Sequence, residues 1–234
     1  MKSRQDILIW LNKKLKELGR PENSVTLLAV SKLQPVEKII QIHKDGQLDF
    51  GENYIQEAHM KMEELESYPL RWHLIGHLQK NKIKQAVGIF EMIHSADSLE
   101  LIEKINARAE ELGIKQKILI QINQAEETSK TGFQQDSFLK DWDHLTLFKN
   151  IKICGLMCLP PLFEDPEQTR PFFRSLKNLL NNLKKNTDNS QHPLDQLSMG
   201  TSHDFQIAVE EGSTILRLGT FLFGERIVST KGIL

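Results

Sequence analysis

The 234 residues are 39% hydrophobic and 26% charged, with a formal net charge of −1 at pH 7. That balance is ordinary for a globular chain and leaves no global field that would draw in nucleic acid or an anionic membrane. No apolar run approaches the ~20 residues of a membrane span, and the N-terminus, MKSRQDILIWLNKKLKEL, is too charged for a secretory leader.

That N-terminus reads as an amphipathic helix over residues 1–20. Leu8, Leu11, Leu15 and Leu18 share a face, Ser3 and Asp6 can form a capping box, and Gly19 can end the helix. From there apolar runs alternate with helical patterns. Strands are predicted at 25–30, 48–50, 72–75, 91–94, 117–122, 151–158, 195–199 and 214–218. Helices are predicted near 35–45, 53–66, 79–87, 98–112, 135–147, 166–185 and 203–211. In the 98–112 helix Asp97 and Glu100 can make a capping box, Leu99, Ile102, Ile105 and Leu112 line a face, and Gly113 closes it. In the 166–185 helix Asp165 can cap, with Pro166 at the first position, and Phe173, Leu176, Leu180 and Leu183 form the buried stripe.

Cys154 and Cys158 lie in a strand-like stretch. Four residues of strand span about 13 Å, too far for a disulfide, so both read as small buried apolar residues in a reducing, cytoplasmic setting. His73 and His77 have helical metal-ligand spacing, but their segment reads as a strand end, which argues against a metal. The basic cluster at 79–84, QKNKIK, reads as a solvated helix start.

Eight apolar strands alternating with helices, with no linker or low-complexity stretch, predict one α/β domain over residues 1–234. The expected fold is a single (β/α)8 barrel with an added N-terminal helix, and the expected state is a monomer. The rival, an open doubly wound sheet, lacks the Gly-x-Gly-x-x-Gly expected after its first strand.

In such a barrel chemistry gathers at the carboxyl ends of the strands. Those ends deliver Ser31-Lys32, Gly51 to Tyr54, Gly76-His77, Asn123, Met157, Ser198 to Asp204, and Arg217 with Gly219-Thr220. Gly200 and Ser202 stand just ahead of a helix, where backbone N–H groups and a hydroxyl make an anion site; Gly219-Thr220 repeats the recipe one strand later. Barrels frequently bind phosphate in these last two loops. Lys32 ends the first strand, which closes beside the last. A lysine partly withdrawn from water loses basicity and can form a Schiff base with an aldehyde. Lysine plus anion site therefore suggests either pyridoxal 5′-phosphate (PLP) or an aldolase acting on a sugar phosphate. Arg217 bears on the choice, because a donor-only guanidinium facing a pyridine nitrogen would keep that nitrogen unprotonated and the ring a weak electron sink. An interior arginine held in an ion pair is the other reading.

AVSKLQP, FGENYIQEA, WHLIGHLQKNK, IQINQAEETSKTGF, GLMCLPP, LSMGTSHDFQIAVEEGST and LRLGTFLFGER together resemble the YggS/PROSC family of pyridoxal phosphate homeostasis proteins, over residues 27 to 226. The resemblance implies a barrel similar to the N-terminal domain of alanine racemase, with PLP held as an internal aldimine on Lys32. It implies Arg217 at the pyridine nitrogen, phosphate contacts from Ser202, Gly219 and Thr220, and Asn53 beside the ring. Thr201 departs from a common methionine, His203 from a small or acidic residue, and the tail IVSTKGIL lacks the frequent Asp-Tyr. The family's role implies vitamin B6 homeostasis without established turnover, with PLP-dependent apoenzymes as possible recipients. The alternative is a racemase-like enzyme, which needs acid-base groups on both faces of the substrate carbon. Alanine racemases take the second from a tyrosine of another domain. This chain offers only Tyr54 and Tyr68, and no second domain is expected after residue 234, which favours a carrier.

Overall fold

Every apolar run that reads as a strand becomes one, and each pairs in parallel with its neighbours. The computed structural model of the protein describes residues 3–124 and 131–224. The strands are β1 (Thr26–Val30), β2 (Asp49–Glu52), β3 (Arg71–Leu74), β4 (Met92–Ala96), β5 (Gln116–Asn123), β6 (Phe133–Gln134), β7 (Ile151–Met157), β8 (Gln196–Thr201) and β9 (Ile215–Leu218). The sheet order β4-β3-β2-β1-β9-β8-β7-β5, with β4 also paired to β5, closes eight strands into a TIM-type barrel. The two-residue β6, which hydropathy does not foretell, adds to the end of β5 outside that ring. Part of the IQINQAEETSKTGF motif (125–130) and the tail after Gly224 lie outside the described residues.

The helices are α1 (Arg4–Glu17), α2 (Val36–Lys44), α3 (Ile55–Glu64), α4 (Leu99–Glu111), α5 (Gln135–Leu145), α6 (Arg170–Lys185), α7 (Phe205–Glu210) and α8 (Thr220–Phe223). The segment expected as a helix at 79–87 is instead a 3-10 turn, Lys80–Gln85, whose Lys80 pairs with Glu100. Asp165 caps a second 3-10 turn, Pro166–Thr169, through the Glu167 N–H, and α6 follows with the expected stripe buried. The Ser3–Asp6 capping box is present, but the buried face of α1 is Ile7, Leu11 and Leu15; Leu18 is exposed. The cap of α4 is Ser98, not Asp97, because the Asp97 carboxylate is taken by His77.

Two apolar bodies result. The larger lies between strands and helices. The smaller fills the barrel lumen with Leu28, Met92, Leu119, Cys154, Met157 and Ile215. Register identifies the lumenal polar groups. Arg217 is level with Leu28, His73 with Met92, and Ser198 with Ile215. Both cysteines are free and buried, and burial pushes their thiols up to about 11 (Cys154) and about 12 (Cys158).

Gly200 sits where the β8–β9 register shifts, with φ +92°; a Cβ there would lie 2.5 Å from the Ala208 Cβ of α7. The expected effect of Gly200→Ala is a loss of about 3 kcal/mol, combining left-handed strain with overpacking. Urea unfolding measures it, and a loss under about 1 kcal/mol would mean that the bulge adapts freely.

Candidate functional site

A cavity of 790 Å³ opens at the carboxyl mouth of the barrel. Lys32, Asn53, Ser202, Arg217, Gly219 and Thr220 lie on its wall, with Val30, Ile75, Leu159, Leu162 and Phe221 as apolar surface. Of the residues expected at the site, Gly200 alone is absent from the wall. It serves one step back, where the bulge it permits turns Thr201 and Ser202 towards β9.

The anion side is built from two adjacent strand ends. Ser202 Oγ accepts from the N–H of Gly219 (3.3 Å) and, at longer range, of Phe221 (3.5 Å). These two N–H groups converge where α8 begins. Asp204 holds the turn that presents Ser202: its Oδ1 accepts from the Thr201 N–H at 2.6 Å and the Thr201 hydroxyl at 3.0 Å. His203 also reaches the wall, with Nε2 bonded to the Phe163 carbonyl at 2.8 Å. At the other end of α8, Lys38 donates to the Phe223 carbonyl at 3.0 Å.

Arg217 is 4% exposed. Its Nη1 donates to Ser198 O (2.6 Å) and Ser198 Oγ (2.7 Å), and its Nη2 to Cys158 O (2.9 Å). Among the described residues no carboxylate pairs with it directly; its partners are carbonyl and hydroxyl oxygens. Burial lowers its basicity, partly offset by the charge of Asp204. Of its five N–H protons, three are spent on these oxygens; Nε–H and one on Nη2 remain for the cavity.

Lys32 follows β1 on a turn locked from behind. Leu33 has φ +58°, and its N–H donates to Glu57 Oε1 at 2.6 Å. Lys61, 7% exposed along its side chain, donates to Ser31 O (2.7 Å), Glu52 Oε1 (2.8 Å) and Glu57 Oε1 (2.6 Å), while the Ser31 hydroxyl donates to Glu52 (2.6 Å). Burial raises the Glu52 carboxyl above its usual range, against the pull of Lys61. Asn53 comes from the same β2–α3 junction. Its Oδ1 is buried with no partner among the described residues, and its backbone passes so near Gly76 that a Cβ there would lie 2.2 Å from Asn53 O.

Glu52 and Asp204 fall within the strand ends that the sequence marks but carry no role there, and Glu57 and Lys61 are not singled out by it. The i,i+4 spacing of Glu57 and Lys61 was visible, but it is equally the mark of an exposed helix pair. His73 and His77 diverge: His73 turns into the lumen, and His77, on the outside, bonds Asp97 at 2.9 Å.

This donor set suits one kind of ligand. An amine, an orphaned acceptor at Asn53, unspent guanidinium protons and an N–H cradle for an anion surround apolar walls wide enough for a flat ring. Fold and site together define a single-barrel receptor for a small anion-bearing ligand.

The family described as "Alanine racemase, N-terminal domain" matches residues 12–227. A pyridoxal phosphate homeostasis protein of Aquifex aeolicus is 40% identical over 94% of this chain and 95% of its own. PipY of Synechococcus elongatus, solved with PLP bound, is 36% identical, with a TM-score of 0.80 over 92% of this chain and 100% of its own. Alanine racemase of Clostridium difficile, at 16% identity and a TM-score of 0.67 over 96% of this chain and 58% of its own, shares the fold. The chain belongs to the pyridoxal phosphate homeostasis protein family. Among the described residues no helix is long and apolar enough to cross a membrane.

Proposed function

We propose that the protein is a PLP carrier for vitamin B6 homeostasis: it holds the cofactor on Lys32, masks the aldehyde and releases it without efficient turnover. One observation carries this reading. A single cavity presents the amine, the guanidinium and the anion cradle, yet neither tyrosine is on its described wall. Tyr54 is 55% exposed at the start of α3, and Tyr68 packs edge-on against His43. A racemase needs a second acid-base group facing the lysine across the substrate. The other ionisable wall residues, Arg217 and His203, serve the ring-nitrogen and phosphate ends in this assignment. Bound PLP supplies an electrophilic aldehyde and a pyridine ring. Ser202, Gly219 and Thr220 hold its phosphate, Arg217 donates to its ring nitrogen, and Asn53 lies beside the ring. In this reading the protein acts as a monomer, and PLP-dependent apoenzymes are the recipients.

The test is incubation of the loaded protein with L-alanine in deuterated water. The expected result is negligible α-deuteration. Repeated deuteration near the ~10 s⁻¹ typical of enzymes would replace the carrier with a racemase. The phosphate assignment has its own check: Thr220→Glu should abolish measurable PLP binding by setting a carboxylate against a group carrying about −1.5 to −2 charges. Unchanged binding in a fluorescence titration would put the phosphate elsewhere.

A further inference from the structure

Behind the cavity wall the lumen holds an unbroken file of hydrogen bonds. It starts at Arg217, whose Nη1 donates to Ser198 Oγ at 2.7 Å. Ser198 Oγ lies 3.0 Å from His94 Nδ1, His94 Nε2 lies 3.1 Å from His73 Nδ1, and His73 Nε2 lies 3.2 Å from Asp49 Oδ1. Arg71 grips the far carboxylate with Nε and Nη2, both at 2.7 Å. Ser198 and His94 are fully buried, and His73 is 5% exposed. Asp49 and Arg71 begin their strands, so the file runs from the carboxyl mouth to the amino mouth of the barrel.

The two ends dictate the order of protons between them. Arg217 can only donate, and an ionised Asp49 can only accept. Burial opposes ionisation of Asp49, but hydrogen bonds from His73 and Arg71 outweigh it and hold the carboxyl at about 2. His73 therefore donates from Nε2. A neutral His73 presents a bare Nδ1, so His94 donates from Nε2 and presents its own bare Nδ1. Ser198 must then give its hydroxyl proton to His94, which turns its lone pairs to the guanidinium. Burial, reinforced by the charge of Arg217, keeps His94 neutral. The opposite order would leave the Ser198 hydroxyl accepting from both neighbours with its own proton unplaced.

We infer that Ser198, His94, His73 and Asp49 form a one-directional hydrogen-bond file that positions Arg217, so that a carboxylate at one mouth of the barrel sets the guanidinium that meets the ligand at the other. The link to PLP rests on the reading of Arg217 as the ring-nitrogen donor; the proton order does not.

Two measurements separate these parts. In the ligand-free protein, ¹H–¹⁵N NMR of the imidazoles should show Nε2–H and a bare Nδ1 for both His73 and His94. Asp49→Asn, close in shape, should shift the His94 signals although it does not touch that ring. A proton on His94 Nδ1, an imidazolium at His73, or an unmoved His94 in Asp49→Asn would overturn the file. In the loaded protein, Ser198→Ala should weaken PLP binding about tenfold, the loss of one hydrogen bond to a charged group, and Ser198→Thr should restore it. Asp49→Asn should shift the absorbance of bound PLP. If PLP binds the parent but Ser198→Ala and Asp49→Asn both leave affinity and spectrum unchanged, Arg217 is not positioned by the file. If the parent itself does not bind PLP, the carrier reading fails, and the NMR result still decides the proton order.

Discussion

Lys32→Ala protein treated with PLP and borohydride should carry no covalent adduct, whereas the parent should carry one per chain. The argument is positional. Lys32 is the described lysine on the cavity wall. The next lysine along the chain, Lys38, is occupied by Gln34 and the Phe223 carbonyl. The anion cradle and Arg217 are untouched by the substitution, so weak, reversible PLP binding should persist and its absorbance should resemble that of the free aldehyde. Intact-protein mass spectrometry after reduction reads the outcome. A full adduct on Lys32→Ala would move the reactive amine to another residue and sink the assignment.

Lys61→Met should destabilise the protein by about 3–5 kcal/mol, the usual result of removing one partner from a buried ion cluster. Glu52, 0% exposed along its side chain, would lose its counter-ion, and Ser31 O its donor. The sign with pH follows from Glu52. Its carboxyl is already raised by burial, so between the unfolded and folded pKa the native state binds more protons, and stability falls as pH rises through that window. Without Lys61 the folded pKa moves higher still. The penalty should therefore be larger at pH 8 than at pH 5, and adding Glu52→Gln should recover part of it. Equal, small losses at both pH values in urea unfolding would show the cluster to be solvated. Because Glu57 also holds the Leu33 N–H, the same variant should capture PLP on Lys32 more slowly.

The parts of this architecture that were legible are those where a single physical signal dominates. Runs such as Leu27 to Ala29 are buried on both faces, and their alternation with helices carries the barrel. Lys32, Ser202, Gly219 and Thr220 stand at strand ends, where chain direction alone brings them to one mouth. That double burial also hides information. When both faces of a strand are apolar, the period-two alternation that separates lumen from outer face is lost, so nothing in WHLI or MIH says that His73 and His94 point inward to meet each other. A glycine before a helix suggests an anion loop, which is why Gly200 is expected at the ligand; the close approach of Ala208, which gives it another task, is a tertiary fact. Asp97 and Ser98 are both good caps, and the choice fell to Ser98 because a histidine from the preceding βα unit claimed the aspartate.

The ring of strands closes between β1 and β9, the first and last of the described strands. The lysine hangs from one lip of this seam and the anion cradle from the other, with Lys38 reaching across to the end of α8. During synthesis the chain therefore has no pocket until its final strand docks, and a ligand bridging both lips acts as a latch on that late, long-range step. Cofactor would then be captured only by finished barrels, and its departure would loosen the seam first. Hydrogen exchange should find β1 and β9 more protected than β4 and β5 by an amount that grows with PLP concentration, as linkage requires.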